Sequence, residues 1–403
     1  MGSPNVQPEI PAPQPAILII VENLPVPFDR RVWQEARALA EAGYRVAVIS
    51  PKGRGFESSQ ENIEGIEIYR HRLWEAASPR GYLFEYAWAL VAEFYMALRI
   101  YRRSRFRVLQ ACNPPDTLFL IAAFFKFFGT RFVFDHHDLN PELFEAKFGR
   151  RGWLYRLVRL AERLTFRAAD VSIAPNESYR EIAIERGGMK PDRVWVVRSS
   201  PDLARIRLGE PHAELKEGRA YLVTYHGVMG PQEGLDLLLE AIADVVSRRS
   251  DVLFALIGGG IELERLRERA NKMQLRSFVR FPGRVSEEDL AAYLSTADVS
   301  VAPDPQNPMN DKSTMNKVLE AMAYARPLVL FDLTEGRRAA SDAALYARPN
   351  DPADFARQML RLLNSADLRR ELGARGRKRI EQELNWDREK LSLKLAYQKV
   401  LEG

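Results

Sequence analysis

The chain has 403 residues, enough for two or three domains, and its 46% hydrophobic and 28% charged residues are typical of a globular protein. Its single cysteine, Cys112, excludes an internal disulfide framework and a zinc site made of several cysteines. The net charge of +5 comes from the residues up to Arg205. The sequence shows no RRM, zinc-finger or helix-turn-helix pattern. We therefore predict phosphate-bearing ligands or an anionic bilayer as partners, and no nucleic acid.

The first fifteen residues are rich in proline and lack the basic and apolar regions of a signal peptide, so we predict a disordered leader at 1–15. The most apolar run, 118–129, is too short to span a bilayer. The longer run at 82–101 contains Glu85 and Glu93, as an amphipathic helix does. We expect a cytoplasmic protein that associates peripherally with the inner face of the cell membrane.

Short apolar runs typical of buried strands alternate with helical patterns along the first half of the chain. The strand patterns are AILIIVEN, RVAVIS, FRVLQAC, RFVFDHHD and DVSIAP. The alternation breaks at 201–218, which is rich in Pro, Gly and charged residues, and then restarts with AYLVTYHG. Strands that alternate with helices indicate parallel, doubly wound sheets.

We therefore predict an α/β fold with two Rossmann-like domains, an N-terminal one at 16–205 and a C-terminal one at 206–385. The helical segment at 386–403 is expected to pack back on the first domain. Two such domains in tandem predict a central cleft, and ligands of these sheets bind beyond the carboxyl ends of the strands. The residues that directly follow each strand are therefore the candidates for binding and chemistry.

Four segments lie at such positions. In chain order they are FDRRVWQEARALAEAGYRVAVIS, DHHDLNPELF, HGVMGPQEGLDLLLEAI and NDKSTMNKVLEAMAYARPLVLFD. Together they resemble the family-four glycosyltransferases of the GT-B fold, most of all the bacterial branch that builds surface polysaccharides. The resemblance implies a retaining, metal-independent hexosyltransferase that needs no cofactor. Its C-terminal domain would bind a nucleotide-diphosphate sugar, expected to be a UDP-sugar, and its N-terminal domain would face the acceptor hydroxyl.

The polar run at 310–317 opens a predicted helix after the strand ADVSVAP. A helix N-terminus binds phosphate well, and Ser313 or Thr314 is the expected cap. Glu320 lies about 9 Å beyond Thr314 along the helix, within reach of a ribose when a diphosphate sits at the tip. The resemblance gives Glu320 this role, as the second glutamate of an E-x7-E motif. We assign the donor to Asp311, Lys312, Ser313, Thr314, Met315, Asn316, Lys317 and Glu320.

Lys312 stands where that motif has its first glutamate, so the chain departs from the family at this position. Asp311 is the expected substitute for the missing carboxylate. Lys312 would then supply positive charge for the diphosphate or alter the preference for the donor sugar.

The loop from Tyr225 to Gly234 follows the first strand of the second domain. Its glycines would let the backbone approach a diphosphate closely. Family members often carry an arginine and a lysine here, whereas this chain has Met229 and Glu233 near those places, which leaves the phosphate charge to Lys317 and to backbone N–H groups. By the same resemblance, Arg284 and Val285 of FPGRVSEEDL would flank the ring of the nucleotide base. The donor set is completed by Gly227, Val228, Gly230, Gly259, Arg284 and Val285.

The loop DHHDLNPE contains two histidines and two aspartates, which are possible metal ligands. Adjacent residues rarely coordinate one ion, so we predict no metal. The resemblance implies that a histidine of this loop contacts the donor sugar. His137 and the following Asp138 are the predicted catalytic residues, with His136 on the acceptor side as the second choice for the histidine. A purely structural histidine is the alternative.

Two further loops are expected on the acceptor side, at ENLPVPFDRR and at NPPD. Their candidate residues are Asp29, Arg30, Arg31 and Asn113, although the two arginines could equally be surface charges of a helix. The arginine-rich aromatic segment at 146–170 is typical of a helix that lies on anionic lipid, or of an ordinary helix with an arginine face. With the family resemblance, it favours a lipid-linked or polysaccharide-precursor acceptor.

Two other functions fit the same motifs. One is a nucleotide-sugar epimerase of the same fold. The other is a catalytically silent sugar or lipid binder, which Lys312 and the missing Arg and Lys of the 227–234 loop would explain.

Overall fold

The computed structural model describes residues 16–72, 79–148 and 151–402. The predicted leader at 1–15 lies outside the described residues. The chain divides into two compact units, of which unit 1 comprises residues 1–197 and 390–403 and unit 2 comprises residues 198–389. We describe each unit by itself.

Unit 1 contains an eight-stranded sheet in the order β3-β4-β2-β1-β5-β6-β7-β8. All its neighbouring strands pair in parallel except β3 and β4, which form an antiparallel edge. The strands are β1 (Ala16–Val21), β2 (Arg45–Pro51), β3 (Gln60–Ile63), β4 (Ile66–His71), β5 (Val108–Cys112), β6 (Arg131–Asp135), β7 (Val171–Ala174) and β8 (Val194–Val196).

Helices flank this sheet. They are α1 (Arg30–Glu41), α2 (Pro79–Ser104), α3 (Phe119–Lys126), α4 (Asn140–Phe148), α5 (Trp153–Ala168) and α6 (Glu177–Glu185). Because central strands of a parallel sheet are covered on both faces, they are rich in apolar residues, and every residue of β1 is apolar and buried. The α1 helix begins where the Asp29 carboxylate accepts a hydrogen bond from the Val32 N–H at 3.1 Å.

Unit 2 contains a six-stranded, entirely parallel sheet in the order β11-β10-β9-β12-β13-β14. Its strands are β9 (Tyr221–His226), β10 (Val252–Ile257), β11 (Val279–Gly283), β12 (Val299–Ala302), β13 (Leu328–Phe331) and β14 (Ala344–Ala347). Its helices are α7 (Leu235–Arg248), α8 (Leu263–Lys272), α9 (Glu287–Thr296), α10 (Asn316–Ala323), α11 (Thr334–Ala340), α12 (Pro352–Asn364) and α13 (Ala366–Gln382). The predicted α/β fold with two Rossmann-like domains is confirmed.

The last helix, α14 (Trp386–Glu402), belongs to unit 1 from Lys390 onward. Its buried side chains recur with helical spacing at Leu393, Ala396, Tyr397 and Val400. The division between the units falls at 197/198 and 389/390, where sequence analysis placed it at 205/206 and 385/386. Among the helices described, none combines the length and the apolar character that crossing a bilayer requires.

Candidate functional site

His137 directly follows β6 in unit 1, and its imidazole pairs with the last residue of that strand. Its Nε2 lies 2.6 Å from Oδ2 of Asp135, whose side chain is fully buried. Burial by itself lowers the pKa of His137, but the Asp135 carboxylate outweighs this effect, so the pKa is raised. The His137 side chain keeps 11% of its surface exposed. An imidazole held by a buried carboxylate therefore stands at the carboxyl end of the sheet.

Asn113, at the end of β5, shapes the loop that carries His137. Its Oδ1 accepts hydrogen bonds from the N–H groups of His137 at 2.6 Å and Asp138 at 3.1 Å. Its Nδ2 donates to a carboxylate oxygen of Asp116 at 3.0 Å and to the Asp138 carbonyl at 2.8 Å. This buried amide holds the backbone of the loop, and the place of Asn113 on the acceptor side stays a prediction.

Arg31 is also an internal residue, because it is held against the same aspartate. Its Nη2 lies 2.7 Å from Oδ1 of Asp135 and 3.2 Å from Glu35, and its Nη1 donates to the Val197 carbonyl at 2.7 Å. Only 10% of its side chain is exposed. The prediction that Arg31 contacts an acceptor is therefore corrected.

The two residues before Arg31 differ in exposure. Asp29 is buried and caps α1, so its carboxylate serves the helix and not an acceptor. Arg30 is exposed on the first turn, and its acceptor contact stays a prediction.

A buried polar network surrounds Asp135, and sequence analysis missed most of it. Gln110 Nε2 donates to Glu35 at 2.6 Å and to Oδ2 of Asp135 at 3.1 Å. Its Oε1 accepts a hydrogen bond from the Tyr397 hydroxyl. The signal available in the sequence was a glutamine inside the otherwise apolar strand FRVLQAC.

Two carboxyl groups of this network titrate in opposite directions. Burial and the neighbouring Asp135 raise the pKa of Glu35 to about 8, although Arg31 opposes the shift. Burial alone would raise the pKa of Asp135 too, but Arg31 and His137 hold it well below its usual range. Asp135 is therefore the ionised member of the pair, and Glu35 is the protonated one.

Cys112, Asp135 and His137 offer three potential ligand atoms within 4.8 Å of one another. The Arg31 guanidinium already binds the Asp135 carboxylate, so a divalent cation there would lie beside a fixed positive charge. We assign no metal to this group.

His136 lies in the core instead of on the acceptor side, and that prediction is wrong. Its fully buried ring stacks on Phe134 at 5.4 Å between centroids and also contacts Phe166 and Tyr179. Burial, with Arg186 and His137 nearby, lowers the pKa of His136 to about 3, so the ring is neutral. The structural reading left open for the histidines applies to His136.

In unit 2, the loop after β9 packs backbone against backbone on the loop after β10. The Gly227 N–H donates to the Ile257 carbonyl and the Met229 N–H to the Gly259 carbonyl, both at 3.0 Å. A Cβ at Gly258 would lie 1.8 Å from the Gly227 carbonyl oxygen. Close approach of the two loops explains the glycine run after β10.

The other predicted residues of this region surround these two loops. Val228 is 56% exposed, and the exposed Arg284 side chain lies against Gly259. Val285 is half-buried against an apolar cluster of β9 and β10. Gly230 begins the turn that leads to α7. Their roles in donor binding stay predictions.

Lys317 is buried and neutralised within unit 2, contrary to the expectation that it meets a phosphate. Its Nζ lies 2.7 Å from Glu233 Oε2 and 2.7 Å from Asp304 Oδ1, and 5.0 Å from the centre of the Tyr225 ring. Burial alone lowers the pKa of Lys317, but Asp304, Tyr225 and Glu233 together raise it. The Lys317 ammonium group therefore contacts two carboxylates and does not face the solvent.

The start of α10 differs from the expected capped helix. The helix begins at Asn316, after a separate 3₁₀ turn at Asn310–Lys312, and its N-cap position is Met315. Ser313 Oγ donates to the Met309 carbonyl at 2.8 Å, and Thr314 Oγ1 donates to Glu335 at 3.2 Å. The predicted capping by Ser313 or Thr314 is wrong, because both hydroxyls serve other partners.

Asp311 binds the start of α11 instead of an open site. Its carboxylate accepts from the Thr334 N–H at 2.9 Å and from the Thr334 hydroxyl at 3.0 Å. This placement opposes its expected role as a substitute for the missing glutamate. Met315 packs at the edge of an apolar cluster, Lys312 is half-buried and Asn316 is exposed. The donor contacts of these three residues stay predictions.

Glu320 pairs with a residue that sequence analysis missed. His226, the last residue of β9, has its Nε2 2.9 Å from Glu320 Oε2. The Glu320 side chain keeps 26% of its surface exposed, whereas His226 keeps 7%. A histidine at the end of the predicted strand AYLVTYHG was the available signal. The pair places an oriented carboxylate beside the two glycine loops of unit 2.

Two family models match the chain. Residues 29–199 match a model described as a glycosyl transferase 4-like domain, and residues 220–365 match one described as glycosyl transferases group 1. A D-inositol 3-phosphate glycosyltransferase of Streptomyces bingchenggensis is 25% identical over 252 residues, which are 59% of this chain and 54% of that protein. A phosphatidyl-myo-inositol mannosyltransferase of Mycobacterium leprae is 32% identical over 148 residues, or 36% and 38% of the two chains. The chain thus spans about half or less of these curated relatives.

Solved structures share the fold across nearly the whole chain. A sucrose-phosphate synthase from Thermosynechococcus elongatus has a TM-score of 0.78 at 19% identity and covers 96% of this chain and 100% of its own. Anabaena HepE in complex with UDP-glucose has a TM-score of 0.68 at 13% identity and covers 95% and 99%. At these identities the likeness concerns the fold.

Proposed function

We propose a donor and an acceptor for this chain, which belongs to the glycosyltransferases of the GT-B fold. The protein moves a hexose from a nucleotide-diphosphate sugar, with UDP as the nucleotide, to an acceptor hydroxyl and retains the anomeric configuration. The acceptor is lipid-linked or a polysaccharide precursor, as in the bacterial surface-polysaccharide branch. The reaction uses neither a metal nor a further cofactor, and it takes place on the cytoplasmic side of the membrane.

The pair of His226 and Glu320 carries the donor half of this proposal. A carboxylate can accept hydrogen bonds from two ribose hydroxyls, and the 2.9 Å contact with His226 fixes its orientation before the nucleotide arrives. The glycine loops at 227–230 and 258–260 lie at the carboxyl ends of β9 and β10, where ligands of parallel sheets bind. The bound UDP-glucose of Anabaena HepE supports the choice of nucleotide.

His137 supplies the chemistry on the side of unit 1. In the proposed reaction the bond between the anomeric carbon and the diphosphate oxygen breaks as the acceptor oxygen attacks the same face. The acceptor proton passes to the leaving phosphate oxygen, so no side chain is needed as the base. Asp135 raises the pKa of the His137 imidazole and fixes its ring, and His137 would orient the donor and its leaving diphosphate.

The diphosphate must be bound with little help from the loop at 227–234. That loop contains neither arginine nor lysine, and Lys317 is already held by two carboxylates. Backbone N–H groups of the first turn of α10 and the half-buried Lys312 are the proposed partners of the phosphates.

The acceptor half of the proposal depends on an apolar surface of unit 1, here called the helical face. The α2 and α3 helices meet through Phe94 and Phe124, whose ring centroids are 4.9 Å apart, and Lys126 at the end of α3 donates to the Ala168 carbonyl at the end of α5. The face comprises the exposed side chains of Val91, Tyr95, Leu120, Phe124, Phe127, Phe128, Leu157, Leu160 and Leu164.

The occupant proposed for the helical face is an anionic bilayer. Exposed arginines alternate with the leucines along α5, at positions 156, 159, 163 and 167, so apolar contact and positive charge occur on one surface. Such docking would bring a lipid-linked acceptor to unit 1. The M. leprae relative is named for mannosylation of phosphatidyl-myo-inositol, a lipid, which is in keeping with this acceptor class.

Calorimetric titration with UDP and with GDP tests the donor. UDP is expected to bind the parent protein, Glu320→Ala to weaken binding at least tenfold, and the exposed Glu268→Ala control on α8 to leave it unchanged. If neither nucleotide binds, the proposal fails. Product analysis then separates a transferase from an epimerase, which returns an altered sugar on the nucleotide. Transfer or hydrolysis that is lost in His137→Ala excludes a silent binder.

A further inference from the structure

Gln110 lies in the middle of β5, and its amide group hydrogen-bonds to side chains, with Cys112 Sγ also 3.6 Å from its Nε2. The two Nε2 hydrogens point to two carboxyl groups, at 2.6 Å from Glu35 Oε2 and 3.1 Å from Asp135 Oδ2. The Oε1 accepts from the Tyr397 hydroxyl. A buried amide is stable only when it is satisfied in this way, so the position of each partner constrains the other two.

Tyr397 reaches this network from the other end of the chain. It lies on the buried face of α14, fully shielded from solvent. Burial, with Glu35 nearby, raises its pKa well above the ordinary value, so the hydroxyl is neutral and can donate. On the surface of unit 1, Lys390 of the same helix lies 3.1 Å from Glu41 of α1.

We propose that Tyr397 is a positioning residue for His137, acting through Gln110 and Asp135. The hydroxyl fixes the Gln110 amide, the amide donates to Oδ2 of Asp135, and the same oxygen holds the imidazole at 2.6 Å. This inference rests on the proposed role of His137 in the reaction. The α14 helix would then position a residue of the unit 1 site in addition to packing on the sheet.

Removal of the Tyr397 hydroxyl should raise the pKa of His137. In Tyr397→Phe the Gln110 oxygen is left buried without its donor, so the amide shifts and its bond to Asp135 weakens. Oδ2 of Asp135 then accepts more strongly from His137, which favours the protonated imidazole. Other charged or titratable groups that face His137 stay in place, among them Asp29, Arg31 and Glu35 around α1, Cys112 on β5 and His136 after β6.

The test is a pH titration of the histidine side chains by NMR, with ¹⁵N-labelled histidine in the full chain. The chain has five histidines, and His137→Gln identifies the signal of interest. The titration midpoint of His137 should rise by about 0.5 unit in Tyr397→Phe. The matched control is Tyr44→Phe, which removes a hydroxyl from the ring that packs against Tyr397 at 6.3 Å between centroids. This control should leave the midpoint unchanged.

A midpoint that stays the same or falls in a folded Tyr397→Phe protein overturns the inference. If that variant does not fold, Gln110→Met decides in its place, because it removes both amide donors at similar side-chain volume and should also raise the midpoint. An unchanged His137 midpoint in Gln110→Met would also overturn the inference. The titration needs no nucleotide, so its result stands apart from the calorimetric test of the proposed function.

Discussion

The ammonium group of Lys317 lies 2.7 Å from an oxygen of Glu233 and forms a buried ion pair between α10 and the loop after β9. A second carboxylate, that of Asp304, lies at the same distance on the other side. The loop therefore bears the negative charge and the helix the positive one. This arrangement ties the loop to α10 without an external ligand, and it gives the first prediction.

Lys317→Met should destabilise unit 2 by roughly 3–5 kcal/mol, because it leaves two buried carboxylates without their cation. Urea unfolding followed by circular dichroism measures the loss. Lys312→Met, which removes a half-buried lysine of the preceding turn, is the control and should cost less than about 1 kcal/mol. Adding Glu233→Gln to Lys317→Met should restore part of the stability. A Lys317→Met protein as stable as the parent would contradict this account of the pair.

Gly258→Ala should destabilise unit 2 by roughly 3 kcal/mol or more. Gly258 has a φ of +138°, and a Cβ there would lie 1.8 Å from the Gly227 carbonyl oxygen, so the two loops would have to separate. Gly283→Ala is a matched control, because its φ is +80° but nothing lies within 4 Å of the added carbon. That control should cost about 1 kcal/mol. Equal losses in the two variants would show that loop packing contributes nothing beyond backbone strain.

The stability of unit 1 should depend on the titration of Glu35. Its pKa is about 8 in the folded protein against an ordinary value of 4.5, so the folded state favours the protonated form. The stabilising effect is complete below pH 4.5 and is lost as the pH rises toward 8. Glu35→Gln keeps a neutral group of the same shape and should therefore be more stable than the parent above pH 8, by an amount on the order of a few kcal/mol.

Thermal melts between about pH 5 and 9 measure this difference. The control is Glu185→Gln, an exposed carboxyl in the last turn of α6. The gain of Glu35→Gln over the parent should grow with pH, while that of the control should stay flat. A gain that is constant with pH would exclude a raised pKa for Glu35.

Membrane association should depend on the helical face. Phe127 is 88% exposed at the end of α3, and Phe127→Ser should lower partitioning onto phosphatidylglycerol-containing vesicles about tenfold. Ile261→Ser removes a side chain of unit 2 that is 85% exposed and should have no effect. Vesicle flotation at low and high salt provides the measurement. If the parent protein fails to float with these vesicles at low salt, the proposed docking is wrong.

The sequence predicted the parallel architecture because the apolar strands and amphipathic helices follow local periodicity. It did not predict β3, whose residues Gln60–Ile63 are polar and pair only as an edge strand. The sequence predicted a cluster of chemistry-bearing groups at the loop DHHD. The choice between its histidines, however, depends on which ring faces Phe134 and which faces Asp135. No local pattern contains that information.

Contacts between residues far apart in the sequence could not be predicted either, because no local pattern specifies them. Tyr397 and Gln110 are 287 positions apart, and only the return of α14 to the first sheet joins them. A lysine at the start of a helix is normally exposed, so nothing local indicated that Lys317 would be buried by Glu233 and Asp304. The sequence shows where each charged residue lies along the chain, but the tertiary structure decides which residue it pairs with.

The return of α14 to the first sheet also sets an order of events on the ribosome. Unit 2 is one continuous stretch, residues 198–389, and it can complete its sheet as soon as that stretch has emerged. Unit 1 begins first but cannot finish, because Gln110 meets Tyr397 only when the final helix has been translated. The half of the chain that is made first is therefore the half that matures last.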